Sequence, residues 1–536
     1  MMKNQKHNLL ILMKILAVPS LGILTVLFPI FIPVLMVKNT QQNVNQQISQ
    51  ALQLTSQPSE PKLIVSVKDF GAIANDITDD TNAIQNAIDT VYKAGGGVVF
   101  FPKGEYKIKI IPAKSHAITI RGQVKLQGDG NQESLIKLAD QQGNYDSIFA
   151  GERKNSDLSD FSIDNLAIDG NGANNPVKSA ADLSDKKDQM RYAVRIFIGS
   201  RIHIQNSLFK NQNNANTITV NGNVSEVSIK NNHFKLIGGG KVDYDHSTIY
   251  THGKRIAVVN NHFSSREGAG TKGARTAIEI HGDQHIVTNN FITGFTNGIY
   301  ITGYAKSSDH QVVTDNVINE AHSGIVIWSF FSHGNTTNPA ISNCYVANNQ
   351  ISLNIDGWRS LWGNTPGAGI ALEPDSDAPI KNLRIINNQI SFQDLLQQGR
   401  RRDNTTSGIR LWRDQHQNIG SENILISNNK INNPLASGIY ISMPITNLEI
   451  SKNTIVNPGK SNGNFHDDYR AAMLLGKNIN NMYVSQNSMI DNQINNTMQG
   501  GIFLFDKCTS KCQIEENKLY VTSGKKINIY QNHYDK

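Results

Sequence analysis

The stretch Val67-Lys-Asp-Phe-Gly-Ala-Ile-Ala-Asn-Asp-Ile-Thr-Asp-Asp-Thr81 runs into Asn82-Ala-Ile-Gln-Asn-Ala-Ile-Asp-Thr-Val-Tyr92 and then into Gly95-Gly-Gly-Val-Val-Phe-Phe-Pro-Lys-Gly-Glu-Tyr106. Ala83, Ile84, Ala87, Ile88 and Val91 recur at helical spacing and define one apolar face. Thr78 and Asp79 stand just ahead of that face, where short polar side chains serve the free amides of a first turn and acidic groups suit the helix dipole. Gly95 to Gly97 end the helix, and Val98 to Phe101 read as a buried strand. The stretch is therefore a capped helix delivered directly into a β-strand.

That order of motifs, Asp-Phe-Gly-Ala, Thr-Asp-Asp-Thr-x-Ala-Ile-Gln-x-Ala-Ile and Gly-Gly-Gly-Val-Val-Phe-Phe-Pro-x-Gly-x-Tyr, resembles the opening of the pectate lyase-like superfamily, most of all its rhamnogalacturonase/epimerase-like domains. The resemblance implies an all-β fold, a single-stranded right-handed parallel β-helix whose N-terminal end is closed by the helix. Ile168-Asp-Gly-Asn-Gly172 is similar to the first-coil turn of such proteins. Members of the superfamily include glycoside hydrolases, lyases and uronate epimerases, each with its own residues. This chain lacks the Gly-His-Gly and Arg-Ile-Lys signatures of polygalacturonases, the Arg-x-Pro-x-x-Arg element and acidic calcium cluster of calcium-dependent pectate lyases, and the Asp-Pro-His signature of alginate epimerases. The resemblance therefore carries a fold and a substrate class, with no residue role.

The residues beyond Ser200 support a solenoid independently. A unit of apolar residue, two variable residues, Asn, one variable residue and apolar residue recurs at Asn232, Asn261, Asn290, Asn316, Asn349, Asn388, Asn429, Asn453, Asn487 and Asn517. The spacings run from 24 residues (Asn429 to Asn453) to 41 (Asn388 to Asn429), which suits one coil plus variable loops. An asparagine at the same turn of every coil can hydrogen-bond to the coils above and below, so we read a structural ladder. Second strands follow, several opened by glycine, as in Gly298-Ile-Tyr-Ile-Thr, Gly324-Ile-Val-Ile-Trp, Gly369-Ile-Ala-Leu-Glu, Gly408-Ile-Arg-Leu-Trp and Gly438-Ile-Tyr-Ile-Ser. Alternation sends every other side chain outward. One outward column is Tyr250, Glu279, Tyr300, Val326, Ala371, Arg410 and Tyr440, and its neighbour is His252, His281, Thr302, Trp328, Glu373, Trp412 and Ser442.

Residues Ile15 to Val37 are uncharged and almost wholly apolar, with Lys3, Lys6 and Lys14 before them and Lys38 after. This is long enough to span a bilayer, and no small-x-small cleavage site follows Val37. We expect residues 1–38 to be an uncleaved signal anchor, the alternative being a secreted protein. The Gln-, Asn- and Ser-rich residues 39–61 read as a flexible tether, and 62–536 as the β-helix facing the periplasm or cell surface. The net charge of +7 is scattered apart from Arg400, Arg401 and Arg402, which excludes a nucleic-acid footprint and reads first as a solvated surface, the alternative being an anionic partner, an acidic polysaccharide or a membrane surface. Of the three cysteines, Cys344 reads as a buried thiol, and Cys508 and Cys512 can pair across a short turn.

The outward columns form a track on which rungs repeat about every 4.8 Å, near the length of one sugar. Tyr250, His252, Tyr300, Trp328, Trp412 and Tyr440 are the candidate substrate-binding residues, because aromatic and imidazole faces pack against sugar rings. Glu279, His281, Asp283, Glu373 and Arg410 are the candidate catalytic residues, because carboxylates and imidazoles move protons. A hydrolase needs two carboxylates about 5–9.5 Å apart, whereas a lyase needs a base beside C5 and a cation for the uronate, roles open to His281 and Arg410. The loops around Trp358–Trp362 and Arg400–Arg402 can wall a cleft, and Asp243, Asp245 and His246 form a weaker loop group. No cofactor is expected; a calcium ion suits the superfamily, but no specific site is readable. The competing reading is a non-catalytic glycan-binding or export scaffold.

Overall fold

Every ladder between the strands named below is parallel, and the strands recur coil after coil in a solenoid. The computed structural model describes residues 63–532 except 152–155, 177–190, 213–215, 238–246, 266–274, 305–306, 331–340, 359–365, 375–378, 394–404, 413–419, 461–466, 477, 494–496, 506–510 and 523–529. The apolar run 15–37, the tether, the loop group Asp243, Asp245 and His246, and Trp362, Arg400–Arg402 and Cys508 lie outside these residues. No helix among the described residues is long and apolar enough to cross a membrane.

The helix Thr81–Lys93 closes the N-terminal end, burying Ile84, Ala87, Ile88 and Val91 as its spacing requires. Asp79 serves the first turn as expected, its Oδ1 accepting from the Thr81 amide at 3.1 Å. Thr78 does not, because its amide and hydroxyl both turn back to Asp76. Asp80 instead ties the helix start to the first coil by accepting from the amides of Ile73 and Lys107.

The coils stack into a 28-stranded and a 14-stranded sheet among the described residues, around one continuous core of Ile, Val, Leu and Phe. Two residues turn the chain from one sheet into the other. The first adopts left-handed φ, as at Asn289, Asp315, Asn348 and Asn387, and the second is a ladder asparagine. Each ladder side chain does three jobs, as Asn349 illustrates. Its backbone amide donates to Asn388 Oδ1 at 3.0 Å, its Nδ2 donates to Val313 O and Asn388 Oδ1, and its own Oδ1 accepts from Asn316. The pattern runs unbroken from Asn232 to Asn517, and every member from Asn232 to Asn487 is buried. A buried amide can persist only when its donors and acceptor are paired, and here each coil pairs the next.

Cys344 is free and buried, with its thiol pushed up to about 12 by burial. Cys512 is disulfide-bonded. Trp358 corrects the expectation of a cleft wall: it is fully buried and donates from its indole to Glu320 O at 2.7 Å, so it anchors its loop in the core.

Candidate functional site

The strands Ser247–Val259, Thr276–Asp283, Asn297–Tyr304, Ser323–Phe330, Ala368–Pro374, Ser407–Trp412 and Ile439–Ser442 stack in register on the larger sheet. Tyr250 pairs with Glu279, Glu279 with Tyr300, Tyr300 with Val326, Val326 with Ala371, Ala371 with Arg410, and Arg410 with Tyr440. Beside them His252 pairs with His281, His281 with Thr302, Thr302 with Trp328, and Trp328 with Glu373. Trp412 pairs with Ser442 further along. The first column read from the sequence therefore exists whole, and the second runs from His252 to Glu373.

Chemistry concentrates at one end of them. His281 Nε2 lies 2.8 Å from Glu279 Oε1, and its Nδ1 lies 2.6 Å from Thr302 Oγ1. The other carboxylate oxygen, Oε2, accepts from the Ser247 hydroxyl. The His252 ring stacks on His281 at 4.1 Å, and His252 Nε2 meets the Tyr250 hydroxyl at 2.9 Å. The result is a compact Tyr–His–His–Glu cluster shared by two adjacent rungs. Burial alone would raise the Glu279 carboxyl, but the His281 hydrogen bond and charge, the Ser247 hydroxyl and the charge of His252 together hold it below the usual carboxylate value. It is thus ionised at neutral pH and orients His281 by accepting the Nε2 proton.

His281 itself is buried although alternation sends it outward, because Tyr250, His252 and Thr302 cover it. Tyr250, His252 and Glu279 are half-buried, and His281 is the enclosed member. Sequence reasoning missed Ser247, which stands 32 residues before Glu279 with no local motif.

The remaining candidates separate. Asp283 lies beyond Gly282, whose φ of 97° breaks the alternation, and pairs in register with Lys254 and Asp309 rather than facing Glu279. Its Oδ1 is buried without a hydrogen-bond partner among the described residues. Arg410 stands four rungs from Glu279, about 19 Å away, and is committed to Glu373 Oε1 and to Pro366 O. His281 and Arg410 therefore do not act on one sugar. Glu373 lies three rungs from His281, about 14 Å, too far to partner Glu279 as a hydrolase pair.

Between the two groups runs a shallow floor of buried Val326 and Ala371, flanked by half-buried Tyr300 and Trp328 packed edge to face at 6.4 Å. Trp412 is 40% exposed and available for stacking. Tyr440 is not a stacking platform: it is buried against Ala471, Leu474 and Phe503, and burial raises its hydroxyl.

Residues 64–351 match the family described as rhamnogalacturonase A/epimerase, pectate lyase-like, and residues 271–461 match the right-handed β-helix region. Mannuronan C5-epimerase AlgE2 of Azotobacter vinelandii is 40% identical over 113 residues, 20% of this chain and 11% of that protein. Alginate lyase 7 of the same organism is 42% identical over 113 residues, 20% of this chain and 13% of that protein. The chain thus spans only a small fraction of the curated relatives' length. The tailspike protein of E. coli bacteriophage HK620, solved in complex with pentasaccharide, superposes with a TM-score of 0.58 at 15% identity over 86% of this chain and 78% of that one, a likeness of fold. With more than half its length matched, from the helical cap through the coils that carry the cluster, the chain belongs to the rhamnogalacturonase A/epimerase, pectate lyase-like family.

Proposed function

We propose that the chain is an enzyme acting on an acidic polysaccharide outside the cytoplasm, removing the C5 proton of a uronate at the Tyr250–His252–Glu279–His281 cluster. The observation that supports this is the pairing of a surface-reaching Tyr–His couple with a second imidazole held by an ionised carboxylate. A hydrolytic pair of carboxylates has no counterpart among the residues read from the sequence. Relatives named for C5 epimerisation of mannuronan and for alginate lysis agree with the reading.

In this mechanism the buried His281 imidazole, held by Glu279 and Thr302, stacks beneath His252 and positions the surface-reaching Tyr250–His252 couple at the substrate. The proton passes to the Tyr250–His252 couple, whose shared hydrogen bond lets the phenol oxygen and Nε2 exchange it. Elimination follows if the C5 electron pair forms the C4=C5 bond and expels the O4 oxygen, which takes up a proton. Epimerisation follows if a proton returns to C5 from the opposite face. Tyr300, Trp328 and Trp412 would hold neighbouring sugars.

The test is a panel of acidic and neutral glycans, followed by absorbance of unsaturated ends and by deuterium incorporation at C5 in heavy water. Turnover on uronates with one of these signatures is expected, and Tyr250→Phe and His252→Ala should each lower it roughly 10²–10⁴-fold. Saturated products carrying oxygen from water would overturn the reading in favour of hydrolysis. Binding without turnover on any glycan would favour the scaffold.

A further inference from the structure

The track does not begin at Tyr250. In register, Thr119 pairs with Ala150, Ala150 with Arg195, Arg195 with Thr219 and Thr219 with Tyr250, so Thr119 and Glu279 belong to one outward column five rungs apart. At that far end a recess of about 480 Å³ opens in the surface, lined by Lys114, His116, Thr119, Asp146, Ala150 and Phe197 among others. The Ala150 rung leaves room for the recess, carrying only a methyl group between the larger side chains of Thr119 and Arg195.

The polar groups around the recess have their charges distributed unevenly. Asp146 is neutralised by Arg195 and accepts from the Ser147 hydroxyl. The Arg195 guanidinium lies over Tyr192 and Phe197 at 4.4 and 4.6 Å, fixing the Phe197 ring at the recess. Lys114 Nζ donates to Thr119 Oγ1 at 3.4 Å and has no carboxylate within ion-pair distance among the described residues. His116 Nδ1 lies 2.9 Å from the Lys114 carbonyl, which requires that nitrogen to donate, so Nε2 is left to accept from the Thr119 hydroxyl at 2.9 Å. The ring of bonds holds Lys114 over the column with its charge uncompensated, beside an aromatic face. A carboxylate-bearing sugar matches both features.

We propose that this recess is a distal subsite for an acidic residue of the same glycan chain that occupies the Glu279–His281 cluster. The inference rests on the polysaccharide reading above and adds to it a length requirement and a charge requirement. Five rungs at about 4.8 Å place the Lys114 recess about 24 Å from Glu279, so at one sugar per rung a chain of about six or seven residues is the shortest that reaches both. Shorter chains gain nothing from Lys114.

The experiment uses the full chain and polymannuronate oligosaccharides of three to ten residues, with binding measured by calorimetry. Affinity is expected to step up about tenfold between five and seven residues. In Lys114→Ala the ratio of heptamer to tetramer affinity should fall to near one, with Lys114→Arg restoring most of it. Phe197→Ala should reduce the same ratio, and a melting curve for each variant shows that it is folded. A step in affinity that survives Lys114→Ala, or a smooth dependence on length in the parent protein, overturns the subsite while leaving the proposed function standing. Failure of these oligomers and of every glycan in the panel above to bind or react defeats both, by removing the polysaccharide reading itself.

Discussion

At the residue scale, identical alternation produces different chemistry because each outward side chain answers to its neighbours above and below. Glu279 and Glu373 are both outward carboxylates, yet one orients an imidazole and the other is held by Arg410. Glu279→Gln removes the charge that fixes His281, and turnover should fall at least about 10²-fold with melting little changed. Glu373→Gln should leave the chemical step intact, which product formation by both variants would check. Asn349→Ala deprives the Asn316 amide groups of their acceptor and should destabilise the protein by about 1–3 kcal/mol, visible in denaturant melts. A third case is His285, which the column pattern alone did not single out. It occupies an interior column between Ile256 and Gln311, where burial pushes its pKa down to about 4 from 6.5. The folded state then binds fewer protons than the unfolded chain between those values. This contribution is fully present above pH 6.5 and is lost as pH falls toward about 4, by up to about 3 kcal/mol at roughly 1.4 kcal/mol per pKa unit. His285→Leu removes the titrating group and should flatten the acid side of the stability profile, as denaturation at pH 5 and pH 7 would show.

At the scale of the elements, the glycines that open the second strands are explained by close packing. A Cβ on Gly369 would lie 2.4 Å from Ile390 Cγ2 and 2.6 Å from Gly408 O, and Gly324 and Gly408 meet the same pair of obstacles one coil away. The stacked isoleucines of the smaller sheet thus fill the space that a glycine column leaves in the larger one. Gly369→Ala should cost about 1–3 kcal/mol through overpacking, measurable as a shifted denaturant midpoint. The effect should be structural, with the length dependence of glycan binding retained in whatever fraction stays folded. The same coupling keeps the outward columns straight, because a coil that shifts by one residue would bury its charged side and expose its core side.

For the whole molecule, the solenoid converts chain length into a track, and the loops between strands vary without disturbing it. The 39-residue interval from Asn349 to Asn388 and the 24-residue interval from Asn429 to Asn453 deliver their asparagines to equivalent rungs. We propose that the apolar run Ile15–Val37 holds this track at the outer face of the cytoplasmic membrane, with residues 39–61 as its tether. Mass spectrometry of the mature protein should then recover peptides from before Val37, in the membrane fraction. A mature N-terminus within the Gln-rich tether would show a cleaved, secreted form instead.

The helical cap, the coil repeat, the asparagine ladder and both outward columns follow from local sequence alone. They depend on helical spacing, on strand alternation and on a turn residue that recurs, and each is encoded within one coil. Parallel in-register stacking then forces equal positions of successive coils into line, so the sequence alone aligns Tyr250, Glu279 and Tyr300. Only the tertiary structure decided which members of those columns share chemistry. Alternation names the face of a sheet, but burial and partners come from side chains that are distant in sequence. Ser247 reaches Glu279 from the preceding coil, and stacked neighbours bury His281. Arg410 is drawn away to Glu373, and Gly282 turns Asp283 out of the group.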